Sequence, residues 1–215
     1  MRTKLILPVL VALASTAASA GDPALSSQLQ SLQDRWAEAN YRLVDKEKLA
    51  AFEALAADAD SLVADHPSDA QALVWRGIIQ STWAGAKGGL SALSLAKQAK
   101  VSLEQAMSID PDVLDGSAWT SLGSLYDQVP GWPIGFGSDK KARKFLLKGL
   151  ELNPDGIDSN YFYALYLADD GEWSEAVSYL NRARQAPRRP GRSTADAGRQ
   201  MEISEKLSEY QAHMR

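Results

Sequence analysis

Apolar residues return every three or four positions along most of the chain. Nowhere do they alternate with period two for long enough to make a convincing strand. The pattern predicts an all-α protein with roughly nine helices. Leu29, Leu32, Trp36, Ala39 and Leu43 mark an amphipathic helix over 29–44, and an Ala/Leu-rich helix over about 46–64 stops at His66-Pro67. Ser68-Asp69 offers caps for a third helix carrying Leu73, Trp75, Ile78, Ile79 and Trp83. Gly85 to Gly89 either breaks the pattern or lets a backbone approach closely, and the pattern resumes over 90–109 up to Asp110-Pro111. Trp119, Leu122, Gly123 and Tyr126 then set a bulky ridge beside a small notch on one helical face. After the loop VPGWPIGFG (129–137), Ala142, Leu146 and Gly149 alternate small and large up to Pro154. Helices follow over 157–169 and 173–185, joined by a tight Asp170-Gly171 turn. After PRRPG, Ser193 or Thr194 caps a last helix over about 193–211.

Helix-ending prolines at 67, 111, 154 and 187 set a recurring unit of 33 to 44 residues, the length of a stacked helical hairpin. The copies hold register. ALVWRGIIQ, WTSLGSLYD and YFYALYLAD each place a small residue (Gly77, Gly123, Ala164) amid large ones. The second helices repeat small-x3-Leu-x2-small as Ala99/Leu103/Ala106, Ala142/Leu146/Gly149 and Ala176/Leu180/Ala183. A small residue opposite a large one suits close antiparallel packing.

Trp119, Leu122, Gly123, Tyr126, Ala142 and Pro154, with the turn and helix start DGEWSEA (170–176), resemble the tetratricopeptide repeat (TPR). The resemblance covers about 69–187, with a degenerate copy before Pro67. It implies an α-solenoid of about four antiparallel hairpins plus a C-terminal capping helix, two hairpins carrying enlarged inter-helix loops. A weaker likeness links the insertions to the periplasmic T-component of tripartite solute transporters. Alignment to the family's groove positions implies that Ser117, Thr120, Ser124, Asp127, Asp158, Tyr161 and Leu165 line a concave binding face.

The first twenty residues read as a cleaved secretory leader. Arg2 and Lys4 precede a short apolar run that ends in Ala18-Ser19-Ala20. The chain has no cysteine, which rules out a lipid-modified N-terminus and any disulfide. The expectation is one domain over 21–215, periplasmic or secreted and not a lipoprotein, with no membrane span. Loss of the leader takes the formal net charge from −4 to −6, which disfavours nucleic acid as a partner.

Two stretches depart from the repeat and are the candidate sites of its own. Trp132 and Phe136 sit in the Pro/Gly loop, either folded back as a lid on the hairpin or displayed to a partner. Arg188, Arg189 and Arg192, grouped with Arg182, Arg184 and Arg199, make a basic cluster that either receives an anionic group or pairs with the protein's own acids. Asp155, Asp158 and Asn160 lack the spacing of a calcium loop, and Asp158 or Ser159 reads as a helix cap. GAKGG and GFGS are fragments of phosphate loops without the rest of the motif. Neither histidine, His66 or His213, has a metal-spaced partner, so the reading is of a non-enzyme without cofactor or metal. Its expected partner is a protein or peptide in the cell envelope. The alternative is a small solute held by a transport accessory that forms a homo-oligomer.

Overall fold

The structure, a computed structural model, describes residues 23–214, so the leader expected over 1–20 lies outside the described residues. Within them run nine α-helices: α1 (Pro23–Tyr41), α2 (Asp45–Asp65), α3 (Ala70–Lys87), α4 (Gly89–Ile109), α5 (Val113–Gln128), α6 (Asp139–Leu152), α7 (Ile157–Asp169), α8 (Trp173–Gln185) and α9 (Ser193–His213). They pair in order as four hairpins, α1/α2 to α7/α8, and α9 packs on α8 as the cap. No described helix is long and apolar enough to cross a membrane.

Local chemistry accounts for some of the boundaries. Asp69 accepts the Ala72 N–H at 2.7 Å at the head of α3, and Gly171 takes a φ of 82° in the α7–α8 turn. Two expected caps are not made. Arg192 occupies the N-cap position of α9 with no side-chain bond, and Gly156 is the N-cap of α7. The Ser159 hydroxyl instead donates to the carbonyls of Asn153 and Gly156, and Asp158 turns to ion pairs.

Only one of the two expected enlarged loops exists as a loop, over 129–138. The extra length near Gly85–Gly89 is helical, because α3 continues to Lys87 and α4 starts at Gly89, with Gly88 alone between them. Alanine and leucine on both sides favour helix strongly enough to absorb a single interior glycine, a cost of about 1 kcal/mol. A Cβ placed at Gly85, Gly88 or Gly89 would meet nothing within 4 Å, so none marks a close approach, and only Gly88 and Gly89, with φ of 63° and 65°, serve the turn.

The small-large register is the core. Ala99, Leu103, Ala106, Ala142, Leu146, Ala176, Leu180 and Ala183 are all buried. At Gly123 a Cβ would lie 2.7 Å from Leu146 Cγ and 2.9 Å from its backbone nitrogen, so α5 and α6 touch at a point that admits no side chain.

Each second helix packs on the first helix of the next unit, and the first helices also pack on one another. α1, α3, α5 and α7 contact one another in succession, α7 contacts α9, and α9 returns to contact α1. The inner helices therefore form a closed ring with α2, α4, α6 and α8 outside it. At the seam Gly198 of α9 lies under the Tyr41 ring of α1, leaving no space for a Cβ. The Gln30 amide donates to the Gly191 carbonyl at 3.3 Å, and Tyr41 and Arg42 reach Glu202 and Thr194, each at 3.5 Å.

Candidate functional site: the concave face

Inside the ring lies a cavity of about 1200 Å³, lined by side chains from every inner helix. Its walls are apolar where Ile78, Leu93, Leu125, Phe162 and Leu165 face it, and polar where Ser81, Thr82, Thr120, Ser121, Ser124 and Gln128 do. Hydroxyls and amides set among aliphatic walls can orient an extended chain without committing to one charge.

The seam end of the cavity is charged and aromatic. Trp36 and Trp75 meet edge to face with ring centroids 5.9 Å apart, and the Trp36 indole donates to the Thr82 hydroxyl at 3.1 Å. Arg199, with 9 % of its side chain exposed, donates to Asp158 at 2.8 Å and to Glu202 at 2.6 Å. Its guanidinium also lies over the rings of Tyr161 (4.3 Å) and Phe162 (4.8 Å). Arg189 bridges Asp158 at 2.6 Å and Asp196 at 2.7 Å. Burial pushes the Asp158 carboxyl up, but Arg199 and Arg189 together outweigh it and hold the group down at about 2. Arg192 differs from both. Its guanidinium sits 4.8 Å from the centre of the Trp75 ring, and no carboxylate comes within ion-pair distance of it among the described residues.

A crystal structure of TTC0263, a thermophilic TPR protein from Thermus thermophilus, superposes with a TM-score of 0.61 at 18 % identity, covering 88 % of this chain and 82 % of that one. The fold is that of a TPR protein. Two further solved structures are more distant. MamA protein has a TM-score of 0.44 at 15 % identity over 87 % of this chain and 92 % of its own, and Pseudomonas aeruginosa pilF has 0.35 at 14 % over 85 % and 90 %. The likeness to TTC0263 lends no support to the T-component resemblance. No protein-family model and no curated protein matches the chain.

On the TPR frame, six of the seven expected groove residues line the cavity: Ser117, Thr120, Ser124, Asp158, Tyr161 and Leu165. Asp127 does not. It faces a small surface depression beside Tyr126 and Asp139. There burial first, and then the charges of Asp169 and Asp139, raise its pKa to about 6. The loop aromatics split. Phe136 folds back edge to face on Tyr126 at 5.4 Å with Lys100 over its ring, whereas Trp132 is 90 % exposed, and neither lines the cavity. The arginines split as well. Arg189 and Arg192 line the cavity and Arg188 is exposed outside it.

Sequence reasoning missed Trp36, Trp75 and Glu202 as site residues. The two tryptophans carry the same apolar signal as any core position, and only their unequal partners across the ring distinguish them. Among the described residues, no group of three or more His, Asp or Glu is placed to hold a metal ion.

Proposed function

We propose that this protein is a non-catalytic binding module of the bacterial cell envelope that takes a protein or peptide segment on the concave face of its TPR solenoid. The observation carrying this is the convergence of Thr120, Ser124, Tyr161 and Leu165, from two successive inner helices, on one cavity of about 1200 Å³. That volume exceeds the roughly 300–1,000 Å³ of most small-ligand pockets and suits several residues of chain. The leader-like first twenty residues and the lack of cysteine support an exported, soluble protein acting as an adaptor or scaffold.

A second reading, an accessory that holds a small solute and assembles as an oligomer, draws on the α1–α9 closure. An open groove would serve long partners, whereas a ring favours something that fits inside it.

The test is affinity capture from envelope extracts with mass spectrometry. Wild type runs beside folded Ser124→Arg/Leu165→Arg, which fills the cavity with charge, and beside Trp132→Ser. Partners lost with the double variant and kept with Trp132→Ser support the concave face. The reverse pattern moves the site to the loop, and capture of the same proteins by all three defeats both. Cell fractionation of the tagged full-length chain checks the location, where a cytoplasmic pool of uncleaved chain would contradict it.

A further inference from the structure

The 129–138 loop carries the most exposed large apolar side chain of the described residues. Trp132 is 90 % exposed, and Ile134, which borders the mouth of the cavity, is 64 % exposed. Neither exposure comes from a slack loop. The Gly137 N–H donates to the Pro130 carbonyl at 3.0 Å, the Ser138 N–H donates to the Tyr126 carbonyl at 2.8 Å, and the N–H groups of Ile134 and Gly135 both turn back to the Gly131 carbonyl. Phe136, edge to face on Tyr126, ties the loop to α5, so the tip is held out on a closed base. A tryptophan held in water forgoes the burial that its large ring favours.

Cations collar the base of this tip. Lys141 of α6 lies 4.9 Å from the centre of the Tyr126 ring with its Nζ 3.4 Å from the hydroxyl, and Lys100 of α4 lies over Phe136 at 5.9 Å. From Lys141 a basic stripe runs along α6 through Lys144 and Lys148, three and seven positions on, with Lys140 one turn before Lys144. Over 139–148 five cations (Lys140, Lys141, Arg143, Lys144 and Lys148) meet one acid, Asp139, in a chain whose formal net charge is −4. Lys100 is paired with Glu104 and Lys148 with Glu151, whereas Lys140 and Lys144 are exposed with no ion pair among the described residues. Asp139 opens α6, where the helix N-terminus takes up its charge, and with Asp127 it lines the depression at the base of the loop.

We propose that the 129–148 segment is a membrane-docking edge, in which Trp132 and Ile134 enter the interface of a bilayer while Lys140, Lys141 and Lys144 meet anionic phosphate headgroups. Tryptophan suits headgroup level, where its ring is in apolar surroundings and its N–H stays solvated. A small apolar wedge alone holds a protein at a bilayer only marginally, and stable attachment takes a second, electrostatic signal. Both signals sit on one rigid unit here, since the Ser138 hydroxyl at the end of the loop accepts the Lys141 N–H at 3.4 Å. The geometry favours lipid over a protein partner: aromatic anchors of protein interfaces lie within a broad ring of close contacts, whereas this tip stands out alone above a basic collar. No described helix is long and apolar enough to cross a membrane, so the attachment is peripheral. It stands whether or not the concave face binds a peptide.

The experiment is co-sedimentation with lipid vesicles. It uses the chain from Gly21 onward, which holds every described helix and lacks the apolar run at 5–14 that would itself bind lipid. Wild type is expected to bind vesicles of equimolar phosphatidylcholine and phosphatidylglycerol, to leave phosphatidylcholine vesicles alone, and to be released as salt rises. Lys140→Glu/Lys144→Glu should weaken binding roughly thirtyfold or more. Trp132→Ser should weaken it roughly tenfold, and Trp132→Phe should bind like wild type within about threefold. Arg184→Glu/Arg188→Glu makes the same charge change on two exposed arginines elsewhere and should matter less than about twofold. Brominated phosphatidylglycerol should quench the fluorescence of wild type more than that of bound Trp132→Phe. Each variant is compared after its melting temperature is shown to match wild type. No binding to the anionic vesicles overturns the docking edge, and so do equal binding to neutral vesicles, full binding by Trp132→Ser, or equal losses in the two double-charge variants. If wild type ignores lipid while Trp132→Ser and Lys140→Glu/Lys144→Glu each lose the same envelope protein in affinity capture, the tip belongs to a protein partner and the membrane reading is overturned.

Discussion

The 129–138 loop and the 186–192 connector both interrupt the repeat with proline and glycine and both carry conspicuous side chains, yet they dispose of them in opposite ways. In the loop, Phe136 finds Tyr126 and is folded in, while Trp132 finds nothing and stands in solvent. In the connector, Arg189 turns inward to Asp158 and Asp196, Arg192 lies on Trp75, and only Arg188 is left outside. The difference lies in what each faces. The loop joins two helices of one hairpin and meets that hairpin and α4 of the preceding one. The connector crosses the seam, where acids and aromatics from α7, α9 and α3 are within reach.

The comparison can be broken most severely in the frame that carries the loop. Gly123→Leu would drive a side chain into Leu146 and its backbone, at a cost of about 3 kcal/mol or more, and should separate α5 from α6. An unchanged melting temperature would show that this contact is not what holds the hairpin.

Next in size is the seam. Arg199→Met leaves Asp158 with Arg189 alone and should cost about 2 kcal/mol, below the usual figure for breaking a buried pair because Asp158 keeps one partner and is partly exposed. The same network sets an acid limit. The Asp158 carboxyl sits at about 2 when folded against 3.8 when free. Its stabilisation is therefore complete above about pH 4 and lost as pH falls through 2. Denaturant midpoints measured across that range should drop in wild type and flatten in Arg199→Met.

The smallest effect belongs to the loop tip. Trp132→Ser should change stability by less than about 0.5 kcal/mol, because the ring buries almost nothing. A clear loss of thermal stability would mean that the tryptophan packs after all, and the contrast between loop and connector would collapse.

The hairpins were legible because each is a local object. Helical periodicity, a proline stop and a small-large register involve residues within about 45 positions, the span of one repeat. The groove positions Thr120, Ser124, Tyr161 and Leu165 were implied only by the resemblance to the TPR, and the structure places all four on the cavity wall. Ring closure was not legible, because it depends on how slight rotations between hairpins accumulate, and no residue pattern states their sum. That hidden closure is why Asp158 read as a helix cap when its partners, Arg189 and Arg199, are 31 and 41 positions away. It is also why Trp75 read as ordinary core. Asp127 holds a groove position by alignment yet sits at the end of α5, where the helix has already turned it toward Asp139.

The meeting of α1 with α9 bears on how such a chain can change over evolutionary time. An open array of repeats grows or shrinks by duplicating a unit, since each new unit needs only its neighbours. Here an added hairpin would carry α9 away from α1, uncovering Tyr41 and the face of Gly198, and a deleted one would drive the two helices into each other. The ring thus makes the count of hairpins a fixed quantity, and innovation is left to the segments between helices.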